Sequence, residues 1–169
     1  MTALPPRLEL ARDLVLERTD GFVLELGGGR GVLAAALMGR VEEYLGVDRS
    51  ANAVDASRER LAVLDTATRW TVHHGTLDTL PTPPAPVDVA VAVNVNLFWT
   101  GPARPELDRL STLLSRSGCL VLVFDTPDGA DERLLDPLAR SLGRSGWGCE
   151  ADRRGASLAV VASPEGRAG

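Results

Sequence analysis

Short apolar segments rich in β-branched residues alternate with segments of helical spacing along most of this chain. The segment at 87–93 is nearly free of polar residues, which is typical of a strand covered on both faces. Such segments predict parallel strands, because helices bury both faces of a parallel sheet. Five strands of this kind are expected: Phe22–Leu26, Tyr44–Val47, Trp70–His73, Val87–Val93 and Cys119–Phe124.

The segments between these strands carry apolar residues at helical spacing. Helices with an apolar stripe are predicted after Ser50 (Val54, Leu61, Leu64), after Pro105 (Leu107, Leu110, Leu113, Leu114) and after Asp131 (Leu134, Leu135, Leu138, Leu142). Another helix, from Leu8 to Glu17, is expected within the N-terminal segment 1–20, which could act as a lid. Alternating strands and helices indicate an α/β doubly wound fold with right-handed crossovers.

The end of the chain departs from this alternation. Trp147–Arg153 and Ser157–Ala162 are strand-like, and the three residues between them are too few for a crossover helix. They are expected to pair as an antiparallel hairpin, which gives a seven-stranded, mostly parallel sheet. Residues 163–169 are expected to form a frayed tail. Residues 1–169 are expected to fold as a single domain.

Composition excludes several classes of enzyme. Lysine is absent and all 18 basic residues are arginine, whereas Schiff-base enzymes, phosphate-loop proteins and kinases depend on a lysine. The histidines are the adjacent His73 and His74, and the cysteines are Cys119 and Cys149. No zinc-ligand spacing can be written from these four residues, so no metal is expected.

The charge of the chain bears on its partners and location. A formal net charge of -5 and a pI near 5.0 disfavour nucleic acid, which is normally bound by a basic face. Charged residues interrupt the apolar ones in the first twenty positions, and no apolar run is long enough to span a bilayer. We therefore expect a cytoplasmic protein with neither a nucleic-acid partner nor a membrane partner. The sequence does not indicate an oligomeric state.

A glycine-rich turn is the most informative stretch of the sequence. The strand Phe22–Leu26 runs directly into GGGRG at 27–31 and then into a helix. Glycines let the backbone turn tightly and approach a ligand, and the helix N-terminus points amide groups at it. The stretch therefore predicts a nucleotide-like ligand. The alternative is a turn that only connects two elements, for which one or two glycines suffice.

Asp48 is the second candidate for ligand binding. It ends the second predicted strand, 21 positions after Gly27. A carboxylate at this distance can accept hydrogen bonds from two ribose hydroxyls. The alternative is an acid beside Ser50 that interacts favourably with the next helix N-terminus.

The stretch ELGGGRG at 25–31, with an acid two residues before the first glycine, resembles the first motif, ExGxGxG, of the class I S-adenosylmethionine (SAM)-dependent methyltransferases. A carboxylate at Glu25 is unfavourable beside a pyrophosphate. It is tolerable near SAM, which has no phosphate and carries a positive sulfonium and ammonium. The same region also permits a GxGxxA dinucleotide match at 29–34, but that pattern alone is weak.

The resemblance continues in order along the chain. YLGVDRSANAVDAS at 44–57 looks like the second motif, VDVAVAVNVNLFW at 87–99 like the fourth, and LSRSGCLVLVF at 114–124 like the entry into the fifth strand. The resemblance implies that Asp48 binds the ribose and that Asn94 borders the methionine portion of the cofactor. The full set of implied cofactor residues is Glu25, Gly27, Gly29, Gly31, Asp48, Arg49, Thr76, Leu77 and Asn94.

Two of these positions depart from the family pattern on the adenine side. Thr76 stands where the family often has an acid that accepts a hydrogen bond from the adenine amine, and a hydroxyl accepts less strongly. Arg49 stands where an apolar residue commonly covers the adenine. A guanidinium plane can stack on the base instead.

The acceptor is expected beyond the ends of the fourth and fifth strands. The pocket candidates are Asn96, Phe98 and Trp99, with plain packing as the alternative for the aromatic residues and a turn or helix cap for Asn96. The candidates for a general base are His73, His74 and Asp125, with a structural role as the alternative. No catalytic residue is assigned beyond these, because transfer from a sulfonium needs positioning rather than a covalent nucleophile.

These observations predict a small SAM-dependent methyltransferase that transfers a methyl group to a small organic acceptor by in-line displacement. A nucleobase amine is less favoured, because the sequence after the fourth strand, NVNL, keeps only the asparagine of the N-P-P-Y motif common in amino-methylating members. Two other hypotheses stay open. One is an NAD(P)-dependent oxidoreductase, which the terminal hairpin and Glu25 disfavour. The other is a protein that binds SAM without catalysis, which the altered adenine-side residues suggest.

Overall fold

A computed structural model of the protein describes residues 3–101, 103–126 and 131–166, without the side chains of Trp99, Asp131 and Glu132. In these ranges seven strands form one sheet in the order β3-β2-β1-β4-β5-β7-β6. Neighbouring strands among β1 to β5 are parallel, whereas β7 is antiparallel to β5 and β6. The strands are β1 Phe22–Leu26, β2 Glu43–Asp48, β3 Arg69–His74, β4 Val87–Val93, β5 Leu114–Asp125, β6 Trp147–Arg154 and β7 Ser157–Pro164. The predicted fold class is confirmed.

Helices cover both faces of the sheet. They are α1 Pro6–Leu16, α2 Val32–Leu37, α3 Ala51–Ala62, α4 Leu97–Thr100, α5 Arg104–Leu113 and α6 Asp131–Arg144. One buried core joins α1, α2 and α3 to the sheet, and the other joins α4, α5 and α6 to the opposite face. The strand order reverses between β1 and β4, so a crevice is expected at the carboxyl ends of these two strands.

Two predicted helix residues lie outside their helices. Leu64 follows the end of α3 and is 37% exposed, so the apolar stripe of α3 is formed by Val54 and Leu61 without it. Leu114 is the first residue of β5 and pairs with Val87 before the register shifts. Both assignments were wrong because continuing apolar spacing does not reveal where a helix ends.

The connection from β3 to β4 crosses without a helix over residues 75–86. Leu77 and Leu80 are buried in the core on the α4–α6 side, while Pro81, Pro84 and Pro86 are exposed. The prolines stiffen the segment, and the two leucines anchor it to the sheet.

The first helix and the last strand both pack against the rest of the sheet. Helix α1 buries Leu10 and Leu14 against the sheet and carries proline in its first turn. Its helical structure agrees with the prediction, although a lid function stays a prediction. Strand β7 continues to Pro164, which pairs with Trp147, so residues 163–164 are not frayed; residues 167–169 lie outside the described ranges.

No helix in the described ranges has the length and apolar content needed to cross a membrane.

Candidate functional site

The loops that follow the first three strands meet at the carboxyl edge of the sheet. Backbone hydrogen bonds join them: the Gly27 amide donates to the Val47 carbonyl at 2.8 Å, and the Gly75 amide donates to the Asp48 carbonyl at 2.9 Å. The predicted cofactor residues at the ends of β1, β2 and β3 are therefore brought together on one side of the strand reversal.

Three glycines of the turn have positive φ but different surroundings. A Cβ at Gly27 would lie 2.9 Å from the Val95 side chain, and one at Gly31 would clash with the Ser57 hydroxyl. Gly29 has a φ of +53° and nothing within 4 Å of the position of a Cβ. Gly27 and Gly31 thus permit close packing inside the protein, whereas Gly29 borders open space where a ligand can approach the backbone.

Asp48 connects the glycine-rich turn to the start of α3. Its Oδ2 accepts a hydrogen bond from the Gly29 amide at 2.8 Å, and its Oδ1 accepts one from the Ser50 amide at 2.9 Å. A carboxylate has about four acceptor positions, so each oxygen keeps one for a ligand hydroxyl. The sequence analysis gave two compatible roles for Asp48, ribose binding and an interaction with the N-terminus of the next helix. The hydrogen bond from the Ser50 amide is an interaction of the second kind.

Glu25 is a buried acid beneath the glycine-rich turn. It is 4% exposed, and its Oε2 accepts a hydrogen bond from the Tyr44 hydroxyl at 2.6 Å. Burial raises the pKa of Glu25 from 4.5 to about 7; the hydrogen bond from Tyr44 opposes this shift and the nearby Asp48 adds to it. A carboxyl with this pKa can be neutral or charged near neutral pH, depending on what lies beside it.

On the adenine side of the predicted site, a second acid lies near Thr76. The Thr76 hydroxyl donates a hydrogen bond to Asp78, and this bond lowers the pKa of the exposed Asp78 carboxyl. Leu77 has a buried side chain, so only its backbone can face a cofactor. The His74 Nε2 lies 3.2 Å from the carbonyl oxygen of Arg49, whose side chain is exposed. The contact between His74 and Arg49 joins the end of β3 to the loop after β2.

The ends of β4 and β5 are joined through Asn94. Its φ of 54° is unusual for a residue with a side chain. Its Oδ1 accepts a hydrogen bond from the Asp125 amide at 2.9 Å, and its Nδ2 lies 3.4 Å from the Asp125 carboxylate. Arg7, at the start of α1, reaches the same carboxylate at 2.9 Å. Asp125 therefore lies in a polar cluster with Asn94 and Arg7 at the expected acceptor side.

The remaining candidates for the acceptor pocket and for the general base have different surroundings. Phe98 is fully buried in the core, so plain packing, the alternative to a pocket wall, is what the structure shows. Asn96 is exposed at the start of α4 and makes no capping hydrogen bond. The side chain of Trp99 lies outside the described part of the structure. His73 borders a cavity of about 220 Å³ under the proline-rich segment, and its buried Nε2 has no partner in the described ranges.

Comparison with known proteins decides the family. A family model described as a methyltransferase domain matches residues 23–118, more than half of the chain. The chain belongs to this methyltransferase family. The match confirms the resemblance noted in the sequence, and it spans the glycine-rich turn, Asp48 and Asn94. No curated protein sequence matches the chain significantly.

Solved structures with the same fold include several methyltransferases. The glycopeptide N-methyltransferase MtfA complexed with SAM has a TM-score of 0.74 at 18% identity, with 94% of this chain and 87% of that chain covered. A ribosomal protein L11 methylase from Lactobacillus delbrueckii subsp. bulgaricus has a TM-score of 0.71 at 17% identity, covering 94% and 77%. The DhpI–SAH complex has a TM-score of 0.72 at 18% identity, covering 92% and 83%. The methyltransferase fold is thus shared over nearly the whole chain.

Sequence reasoning missed three residues of the candidate site. Tyr44 lies in a predicted strand 19 positions from Glu25, and no local pattern pairs the two residues. Asp78 lies two residues after the position at which an acid was sought. Arg7 is 118 positions from Asp125, and no local pattern could have paired them.

Proposed function

We propose that this methyltransferase domain binds SAM at the glycine-rich turn and transfers its methyl group to a small polar acceptor. The observation that carries the proposal is the pairing of Gly29 with Asp48. Gly29 borders open space, and the carboxylate hydrogen-bonded to its amide keeps acceptor positions for a ribose. MtfA, with which the chain shares its fold, was solved in complex with SAM.

The residues present fit SAM better than a dinucleotide. Glu25 lies beneath the turn and accepts a hydrogen bond only from Tyr44 within the described residues. A buried acid here repels a pyrophosphate and attracts a cation. SAM supplies an activated sulfonium methyl group when bound. The chain's own residues then have to orient the two reactants and keep the reacting atoms in line.

The polar groups at the ends of β4 and β5 support a small polar acceptor. Asn94, Asn96 and Asp125 expose hydrogen-bonding side chains at this edge, and Arg7 adds a cation beside Asp125. Arg7 and Asn94 both contact Oδ2 of Asp125, so its Oδ1 can accept a hydrogen bond from an acceptor hydroxyl or amine. In this proposal these residues position the acceptor.

Calorimetric titration with SAM, S-adenosylhomocysteine and NAD tests the cofactor. We expect SAM and S-adenosylhomocysteine to bind and NAD not to bind. Asp48→Asn keeps a carbonyl acceptor for the Gly29 amide but loses the charge, so SAM affinity should fall roughly 10- to 100-fold. Asp55→Asn on the exposed face of α3 is the control and should leave the affinity unchanged.

Binding of NAD without SAM would overturn the cofactor assignment. Unchanged SAM affinity in Asp48→Asn and in Asp48→Ala would overturn the ribose assignment. Turnover is tested separately with methyl-labelled SAM and fractionated cell extract. Label in a small-molecule fraction supports the acceptor class, label in protein or nucleic acid contradicts it, and no label in any fraction favours binding without catalysis.

A further inference from the structure

Tyr44 makes a polar contact that the cofactor proposal does not use. Its side chain is 1% exposed, and its hydroxyl is 2.6 Å from the Glu25 Oε2. The two groups lie directly under Gly28: a Cβ there would be 3.3 Å from the Tyr44 hydroxyl and 3.4 Å from the Glu25 Cδ. The pair therefore forms the support beneath the central glycines of the turn.

Gly46 makes this position of the tyrosine possible. Glu25 and Gly46 are partners in the β1–β2 ladder, and the Tyr44 ring crosses over Gly46 to reach the acid. A Cβ on Gly46 would lie 2.7 Å from the tyrosine hydroxyl and 3.2 Å from its Cε1. The ring thus occupies space that any other residue at position 46 would fill.

We propose that Tyr44 is a positioning residue that holds one oxygen of Glu25 and leaves the other, Oε1, to face the cationic end of the cofactor. In the described part of the chain Oε1 accepts no hydrogen bond. A phenol that donates to Oε2 stabilises the carboxylate without neutralising it, whereas a basic partner would compete with the cofactor's positive charge. The inference rests on the proposed function and adds the residue that prepares Glu25 for it.

The charged and titratable surroundings of Glu25 support this role. Strand β2 contributes Tyr44 and, at its end, Asp48; the pairing strand β4 contributes Val91, and α2 carries no titratable residue. Burial and Asp48 both raise the pKa of Glu25, while the Tyr44 hydrogen bond lowers it. In α1, on the same face of the sheet, Arg7 is paired with Asp125.

Loss of the tyrosine hydroxyl should therefore keep Glu25 neutral to a higher pH. In Tyr44→Phe the apparent midpoint for SAM binding should move upward, and SAM affinity at pH 7 should fall about tenfold, since a hydrogen bond to a charged group is lost. In Glu25→Gln the pH midpoint of SAM binding that is due to Glu25 should be absent. Adding Tyr44→Phe to that variant should change SAM affinity less than twofold. The amino group of SAM also titrates above neutrality, so each profile is read as a difference from Glu25→Gln.

The first experiment needs no cofactor. Glutamate carboxyl carbons are labelled with ¹³C, and the chemical shift of Glu25 is followed from pH 4 to pH 9 in wild type and Tyr44→Phe. The midpoint should be higher in the variant. Thr68→Val is the control, because it also removes a buried hydroxyl. The Thr68 hydroxyl donates to the Val41 carbonyl at 2.6 Å and makes no contact with Glu25. It should leave the Glu25 midpoint unchanged.

The second experiment measures SAM affinity by calorimetry from pH 5.5 to pH 8.5 in the same variants. Gly46→Ala keeps the phenol but displaces it, so its pH profile should resemble that of Tyr44→Phe, with folding checked by circular dichroism. An unchanged Glu25 midpoint in both Tyr44→Phe and Gly46→Ala would overturn the inference. Failure of the wild type to bind SAM would instead overturn the proposed function, while the ¹³C titration would still report the coupling of Tyr44 to Glu25.

Discussion

Replacing Glu25 with glutamine is expected to stabilise the protein at neutral and alkaline pH in the absence of cofactor. Burial raises the pKa of Glu25 from 4.5 to about 7. The folded chain therefore holds this proton more tightly than the unfolded chain does. Its contribution to the free energy of unfolding is fully present below about pH 4.5 and is lost as the pH rises to about 7. Glutamine has no charge to bury and keeps a carbonyl acceptor for Tyr44.

The size of the effect follows from the pKa. A rise from 4.5 to about 7 corresponds to roughly 3 kcal/mol, at about 1.4 kcal/mol for each tenfold change in proton affinity. Glu25 is 4% exposed, so solvent screening does not reduce this value much. For a domain of this size the stabilisation at pH 8 should raise the melting temperature by roughly 6–12 °C.

Denaturant unfolding at pH 5, 6, 7 and 8, without SAM, measures the difference. The free energy of unfolding of Glu25→Gln should exceed that of the wild type by less than about 1 kcal/mol at pH 5 and by about 3 kcal/mol at pH 8. Glu59→Gln, on an exposed position of α3, should change the free energy of unfolding by less than about 0.5 kcal/mol at each pH. If the wild type and Glu25→Gln differ by the same amount at pH 5 and pH 8, Glu25 does not titrate as a buried acid and the reasoning is refuted.

Two further predictions concern the glycine-rich turn and the acceptor side. Gly31→Ala should lower the free energy of unfolding by more than about 2 kcal/mol, because its φ is positive and the added methyl group clashes with Ser57. Gly29→Ala should lower it by about 1 kcal/mol, because only the positive φ opposes the substitution. Gly29→Ala should also weaken SAM binding at least tenfold. Equal costs for the two would contradict the different surroundings. Arg7→Ala should cost less than about 1 kcal/mol, because its ion pair with Asp125 is more than a third exposed. A loss above 2 kcal/mol in thermal or denaturant unfolding would show that α1 depends on this contact.

The sheet was predictable because its strands carry their signal locally. Phe22–Leu26 and Val87–Val93 were placed with their observed bounds, since apolar runs flanked by glycine, proline or asparagine have clear limits. Leu114 was misplaced because it joins β5 through a register shift that follows a helix directly, and no turn residue marks the change. The four-residue helix α4 is too short to show a period.

The candidate site was predictable in position but not in its internal contacts. Gly29 and Asp48 were identified from spacing, and the structure joins them by a hydrogen bond. The sequence could not show that Phe98 is buried, because a core aromatic and a pocket aromatic have the same local pattern. The contact between Tyr44 and Glu25 depends on strand register, which side-chain chemistry does not specify.

The pairing of Arg7 with Asp125 has a consequence for the order in which the protein is assembled during synthesis. The glycine-rich turn, Asp48 and Asn94 leave the ribosome well before β5, yet Asn94 needs the Asp125 amide and the Val123 carbonyl as partners. Helix α1 is made first, but its packing surface on β5 is made late. The candidate site can therefore be completed only after β5 has been made, because the conformation of Asn94 and the packing of α1 both depend on that strand.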